Sequence, residues 1–268
     1  MNPVHKLAST VICIPARYES SRFPGKLLQK MPSGKPVIVE TCYRALEANY
    51  NHVYVITDSA HIMHAVDSEF AGKVPVFESL QQCWCGTQRV AKFAGSSLQL
   101  NTDSLITVVN LQGDEPLIDP ALISQVAFFA DMFPTAIATA FSTPIPERGF
   151  PDFNTPICRV GQRFSSHTVG TAYQLTEFTR HGPRPIDFQN VVDYRLESAR
   201  WFEHIGVYAF SQICAAPLSR MAANTAATDR QLEQLAFPHY LPIVGVHGPH
   251  CPSINTPEDL QRIWEASD

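Results

Sequence analysis

The alternation of short apolar runs with segments of helical period limits the folds open to this chain more than any other feature. Residues 9–14 (STVICI), 52–58 (HVYVITD), 73–78 (KVPVFE), 104–116 (SLITVVNLQGDEP) and 135–141 (TAIATAF) are rich in β-branched and small apolar residues. The first is unbroken until Pro15, as in a strand buried on both faces. Over 36–49, Val37, Ile38, Thr41, Cys42, Ala45 and Leu46 recur on one helical face, and Pro36 suits a first turn. Ile62, Met63, Val66 and Phe70 mark a second helix, 87–98 a third, and Asp119-Pro120 opens a fourth as N-cap and first-turn proline. Strands alternating with helices predict an α/β fold: a mostly parallel sheet with helices on both faces.

The rhythm breaks over 143–200, which is rich in Pro, Arg, Phe and Gln, and an inserted lobe or dimerisation region is expected there. It returns with a strand at 201–210 (WFEHIGVYAF), a helix near 229–237, a strand at 241–247 (LPIVGVH) and a terminal helix after Pro257. With 268 residues, 45% of them hydrophobic, the chain can bury a core as a single domain without a disulfide or metal staple. A net charge of −5 argues against general binding to nucleic acid or to a membrane surface. No apolar run approaches the ~20 residues that span a bilayer, and Pro15 and Arg17 interrupt the N-terminal apolar stretch, so neither a span nor a signal peptide is expected. The seven cysteines (13, 42, 83, 85, 158, 214 and 251) are odd in number and irregularly spaced, which predicts reduced thiols in the cytoplasm.

In an open α/β sheet, ligands collect beyond the carboxyl ends of the strands. Two segments belong there. The loop after the first strand, CIPARYESSRFPGKLL (13–28), carries Arg17, Arg22 and Lys26. The guanidinium groups can fork onto phosphate oxygens, and Lys26, expected to end in solvent, can act as a point charge. Neither the Walker A pattern nor GxGxxG is present. Read alone, the loop could equally be an exposed basic turn. The second segment, NLQGDEP (110–116), presents Asp114 and Glu115. A carboxylate there can hold Mg²⁺, although Gly-Asp is also ordinary turn chemistry. Together the two segments describe a site with cations for a polyphosphate and an acid for its metal. Two further constellations carry weaker zinc readings: Cys83-Trp84-Cys85, and His247, His250 and Cys251 in HGPHC.

IPARYESSRFPGK, GTQR (86–89), NLQGDEPLI, EHIGVYAF, LEQL (232–235) and NTPEDL (255–260) resemble, in order and rough spacing, the motifs of the 3-deoxy-manno-octulosonate (Kdo) cytidylyltransferases. The resemblance is weakest over 143–200. Lys26-Leu27, where the related sialic-acid enzymes typically have Lys-Asn, favours the Kdo branch. The resemblance implies a Rossmann-like homodimer that converts CTP and a 2-keto sugar acid to a CMP-sugar and pyrophosphate with Mg²⁺. It divides the domain into a nucleotide-binding half (9–142), the lobe (143–200) and an acceptor-binding, closing half (201–268). By position it implies that Arg17 and Lys26 bind the triphosphate, and that Arg22, Gly86, Thr87 and Arg89 hold the nucleotide. Gln112, His204, Glu233 and Gln234 would face the sugar acid, and Asp114, with Asn255, the metal.

The chain also departs from that family. Asn255 stands where the family usually has Asp, Gln88 where it has Glu or Asp, Cys85 where it usually has Ser, and Arg230 at a position normally acidic. The family's Tyr-Phe-Ser-Arg stretch is not evident, and RFSSHTV (163–169) is expected in its place. Three readings remain: a divergent Kdo cytidylyltransferase, a cytidylyltransferase for another acid such as a different sugar acid or a phosphonate, or a non-catalytic nucleotide-binding relative. The retained Arg17, Lys26 and Asp114 favour an enzyme.

Overall fold

Strand β1 (Ser9–Ala16) divides the core in two. Val11 and Cys13 point to one face of the sheet and Ile12, Ile14 and Ala16 to the other, all nearly inaccessible to solvent. A computed structural model of the chain describes residues 9–20, 22–79, 82–98, 105–143, 155–180, 200–221 and 232–267. After β1 come α1 (Val37–Glu47), β2 (His52–Thr57), α2 (Ala60–Phe70), β3 (Val76–Glu78), α3 (Gly86–Ser96), β4 (Ile106–Leu111), α4 (Pro120–Met132) and β5 (Ile137–Ser142). The second half adds β6 (Ile157–His167), β7 (Gly170–Thr179), β8 (Trp201–Ser211), α5 (Ala215–Ser219), β9 (Ile243–Gly248) and α6 (Pro257–Glu265).

The strands form one sheet in the order β3-β2-β1-β4-β8-β5-β9-β7-β6. Its first four strands are parallel, as the strand–helix alternation predicts. Helices α1, α2 and α4 cover one face, and α3 and α5 the other. The second half is less parallel than expected. β8 runs antiparallel between β4 and β5, and β7 runs antiparallel to β9. Part of the expected lobe, residues 155–180, is the β6–β7 hairpin, and it belongs to the main sheet. β6 also pairs with the outer end of β8 (Ile157 opposite Glu203), so β8, β5, β9, β7 and β6 close into a ring. The remainder of 143–200, apart from residues 143 and 200, lies outside the described residues.

Along its outer half, β6 slips register against β7 at several points between Arg159 and Ser165. Phe164 there is 60% exposed; its ring meets Phe133 edge-on, while His167 packs on Phe128. The helix expected near 229–237 is not formed within its described part. Residues 233–235 and 237–239 make two consecutive 3-10 turns, because Pro238 has no N–H to continue an α-helical ladder. Residues 229–231 lie outside the described part.

Four helix starts are fixed locally. Ser59, Cys85, Asp119 and Thr256 each accept a backbone N–H of the first turn, and Thr256 and Asp259 form a reciprocal capping box. No described helix is long and apolar enough to cross a membrane. One tertiary hydrogen bond positions the turn after β4. The fully buried Thr41 of α1 donates to the Gly113 carbonyl at 2.9 Å. Replacing Thr41 by Val keeps the shape and strands that carbonyl, so Thr41→Val is expected to lower the unfolding free energy by about 1–3 kcal/mol, measured by urea denaturation.

Candidate functional site

Parallel pairing of β1 with β4, with Cys13 opposite Asn110, brings the two motif-bearing loops out side by side. They open onto a cavity of about 730 Å³. Arg17, Arg22 and Lys26 line it from the first loop, and Gln112, Asp114 and Glu115 from the second. Gly25 takes the left-handed backbone (φ 67°) that turns the first loop into a 3-10 turn starting at Lys26. Lys26 does not end in solvent as expected. Its Nζ forms an ion pair with Asp114 Oδ2 and donates to the Ile254 carbonyl at 3.0 Å. The phosphate-type cation and the metal-type carboxylate are thus in contact, and both tie to the segment before α6.

The start of α3 forms another wall. A Cβ on Gly86 would lie 2.9 Å from the Gln112 side-chain amide, so a larger residue there would displace the end of Gln112 from its present place. Thr87, expected at the nucleotide, lies beneath the cavity wall. It is fully buried, its hydroxyl accepts from Asn110 Nδ2 (2.9 Å), and its N–H donates to Glu233 Oε2 (3.1 Å). Glu233 also accepts from Gln112 Nε2 at 3.3 Å. Burial raises its pKa, opposed by the donors at Thr87 and Cys85 and by the charge of Arg17. Arg89 lines the cavity and pairs with Asp58 Oδ2 at 2.6 Å, while its buried Nη1 has no hydrogen-bond partner. Gln88 points the other way, donating to the Met221 and Ser219 carbonyls, so its departure from an acid serves the packing of α3 on the end of α5.

The opposite wall comes from β7, β8 and the 3-10 turn at 233–235. His204, Gln234 and Arg180 lie there. His204 is almost wholly buried; burial first, and the charge of Arg180 second, push its pKa down to about 3, so it is neutral. Gln234 donates to the Tyr208 hydroxyl at 2.7 Å, and its buried Oε1 has no partner. Asn255 shares the cavity with Asp114. Its Nδ2 donates to Ser253 Oγ and its N–H to Asp259 Oδ2, each at 2.8 Å, while the N–H of Ile254 donates to the Asp114 carbonyl at 3.0 Å.

Among the cavity residues given no role of their own from the sequence are Glu115 and Arg180. Glu115 is 4% exposed. Its Oε1 accepts from the Gly206 N–H at 3.0 Å, its Oε2 has no partner, and burial with Asp114 alongside raises its pKa well above the usual range. Arg180 closes Glu177-Phe178-Thr179-Arg180, which keeps the Phe and Arg of the Tyr-Phe-Ser-Arg stretch. That similarity was a usable signal. Residues 163–169 do not take that place; they sit at the far end of the β6–β7 hairpin. Arg230 lies outside the described residues.

Among the described residues, no three His, Cys, Asp or Glu side chains come together as a metal cluster. His247 meets Thr143, His250 meets Glu203, and the Cys251 thiol meets the Pro249 carbonyl. All seven cysteines are free thiols.

Comparison with known proteins shows the family. The profile of the cytidylyltransferase family matches residues 11–240. An 8-amino-3,8-dideoxy-manno-octulosonate cytidylyltransferase of Shewanella woodyi is 34% identical, over 96% of this chain and 98% of its own. A 3-deoxy-manno-octulosonate cytidylyltransferase of Herminiimonas arsenicoxydans is 32% identical over 95% and 97%. Among solved structures, a CMP:2-keto-3-deoxy-manno-octonic acid synthetase complexed with CTP superimposes with a TM-score of 0.75 at 25% identity, covering 97% of this chain and 98% of that one. An apo UDP-glucose pyrophosphorylase shares the fold at a TM-score of 0.60 and 14% identity. By its sequence over most of its length, the chain is a member of the cytidylyltransferase family.

Proposed function

We propose that this cytidylyltransferase couples CTP to Kdo or a Kdo-like 2-keto sugar acid, releasing pyrophosphate. One observation carries the reading: a single cavity joins the cationic loop, Asp114 and the His204–Gln234–Arg180 wall. Arg17, Arg22 and Lys26 hold the triphosphate, with Arg89 and the Gly86 approach on the nucleotide side. Arg180 receives the carboxylate of the acceptor, and Gln112 and Gln234 receive its hydroxyl groups, with neutral His204 holding Gln234 from behind. Glu233 organises the start of α3 behind them.

The anomeric hydroxyl attacks the α-phosphorus in line with departing pyrophosphate. The protein supplies position and positive charge where negative charge grows. Mg²⁺, when bound, neutralises the phosphates. The donor set suits it: the Asp114 carboxylate and the Asn255 amide line the same cavity, and Mg²⁺ takes one or two carboxylates with substrate phosphates. A phosphonate or other acid in place of Kdo is less well matched, because the wall around Gln234 offers hydrogen-bond acceptors to a polyhydroxylated chain. CTP consumption and seven free thiols suit the cytoplasm.

A specific second reading is an amino-substituted acceptor. The Shewanella woodyi relative is named for one, and the unpartnered Gln234 Oε1 would suit an ammonium group. Pyrophosphate release from CTP with Kdo, and separately with 8-amino-Kdo, tests both. A higher kcat/KM for Kdo supports the first reading and for 8-amino-Kdo the second, and release with neither overturns both.

We further propose that the chain is a homodimer built on the exposed apolar end of the β6–β7 hairpin, with Phe164 and Val169, and the adjoining end of α4, with Met132. Phe164→Glu is expected to shift the protein from dimer to monomer in analytical ultracentrifugation. For the metal, Asp114→Asn is expected to abolish turnover while CTP binding persists. Asn255→Asp restores a carboxylate and is expected to lower the Mg²⁺ concentration at half-maximal pyrophosphate release about tenfold, a difference of about 1.4 kcal/mol. An unchanged Mg²⁺ titration would remove Asn255 from the metal site.

A further inference from the structure

The hydrogen atoms of the acceptor wall can be placed by following one chain of contacts inward from the sheet. Thr139 of β5 is completely buried. Its hydroxyl donates to the Val207 carbonyl at 2.7 Å. A hydroxyl has a single hydrogen, so the 2.9 Å contact between Thr139 Oγ1 and His204 Nε2 requires the imidazole to be the donor. A neutral imidazole carries one N–H, and that proton is therefore on Nε2 and not on Nδ1. Nδ1 is left as an acceptor, and the group it faces is Gln234 Nε2, at 3.5 Å. The same amide nitrogen donates to the Tyr208 hydroxyl at 2.7 Å. The Tyr208 hydroxyl can accept or donate, so the acceptor at His204 Nδ1 is what calls for nitrogen on that side of the carboxamide, and Oε1 takes the other. That oxygen is buried and unpartnered, on a residue that lines the cavity and is 5% exposed.

We propose that Thr139, which does not line the cavity, is a positioning residue that sets the hydrogen-bond polarity of the acceptor wall through His204 and Gln234. The hydroxyl of Thr139 fixes the imidazole tautomer, and the tautomer fixes which way the Gln234 carboxamide faces. The wall then offers an acceptor oxygen to a hydroxyl or ammonium group of the sugar acid. His204 acts by orientation and not as the base, in keeping with its burial beside Arg180. This inference deepens the acceptor reading given above and rests on it for the substrate, but the tautomer itself stands on the protein's own contacts.

The test uses the full-length protein with two substitutions at Thr139. Thr139→Val keeps the shape and removes the hydroxyl, and Thr139→Ser keeps the hydroxyl. Imidazole nitrogen shifts of His204, assigned by long-range proton–nitrogen correlation, report the tautomer without any substrate. The wild-type protein and Thr139→Ser are expected to show the proton on Nε2, and Thr139→Val to lose that single state. In steady-state assays with Kdo and with 8-amino-Kdo, Thr139→Val is expected to raise the KM of whichever acceptor is used about tenfold and leave the KM of CTP unchanged, with Thr139→Ser close to wild type. A purely structural role would disturb both substrates alike. A proton on Nδ1 in the wild type overturns the proposal. So does a Thr139→Val protein that folds with the tautomer and the acceptor KM unaltered. If neither acid is a substrate, the acceptor reading fails, and the nitrogen shifts still decide for or against the Thr139–His204 relay. Should Thr139→Val not fold, the wild-type and Thr139→Ser spectra decide it alone.

Discussion

The parallel pairing of β1 with β4 is the constraint on which the rest of the site depends. These adjacent strands end on the same side of the sheet, so the loop bearing Arg17, Arg22 and Lys26 and the turn bearing Gln112 to Glu115 cannot avoid one another. The Lys26–Asp114 ion pair closes that encounter. The pair is mostly screened from solvent, and such pairs add little net stability but are costly to break on one side. Burial first, and the charge of Asp114 second, raise the pKa of the adjacent Glu115, and Lys26 opposes part of that rise. The ammonium group thus pairs with Asp114, and the Ile254 carbonyl ties it to the segment leading to α6.

The two halves of the cavity are chemically unlike. On the nucleotide side the side chains are mainly charged and sit on loops beyond strand ends, where a flexible polyphosphate can be gathered by long cations. On the acceptor side they are mainly neutral and sit in or against strands β7 and β8, where backbone pairing sets their position. The ring made by β8, β5, β9, β7 and β6 provides that stiffness. It places His204 edge-on against Phe178 and near Tyr208 and lets a buried threonine reach it from the neighbouring strand. Arg180 stands at the exit of β7, so the strand that carries it also fixes where its charge falls.

Much of this was legible in the sequence because the parallel half follows local rules. Each of its longer strands is an apolar run, and Asp119 and Pro120 announce α4. The cations and Asp114 could be placed together because both follow strand ends. What the sequence concealed depends on contacts between distant residues. Lys26 looks like a solvent-facing lysine until Asp114 and Ile254 are brought to it. Thr87 reads as a ligand contact by motif, but Asn110 and Glu233 hold it beneath the surface. The 3-10 turns around Pro238 interrupt a stretch whose residue types resemble a helix. The antiparallel insertion of β8 between β4 and β5 has no local signature, since an apolar run does not state its direction.

A sheet that curls back on itself has little rim left over. At one end β3 is three residues long, too short to template another chain. At the other, β6 is stitched to β8 near its start, and its outer half is broken by repeated slips of register against β7. Irregular and abbreviated margins of this kind keep exposed backbone from recruiting foreign strands. The protein can therefore carry a large, strongly apolar sheet at high concentration with a reduced tendency to polymerise through its backbone, which leaves side chains, not main-chain ladders, to decide what it associates with.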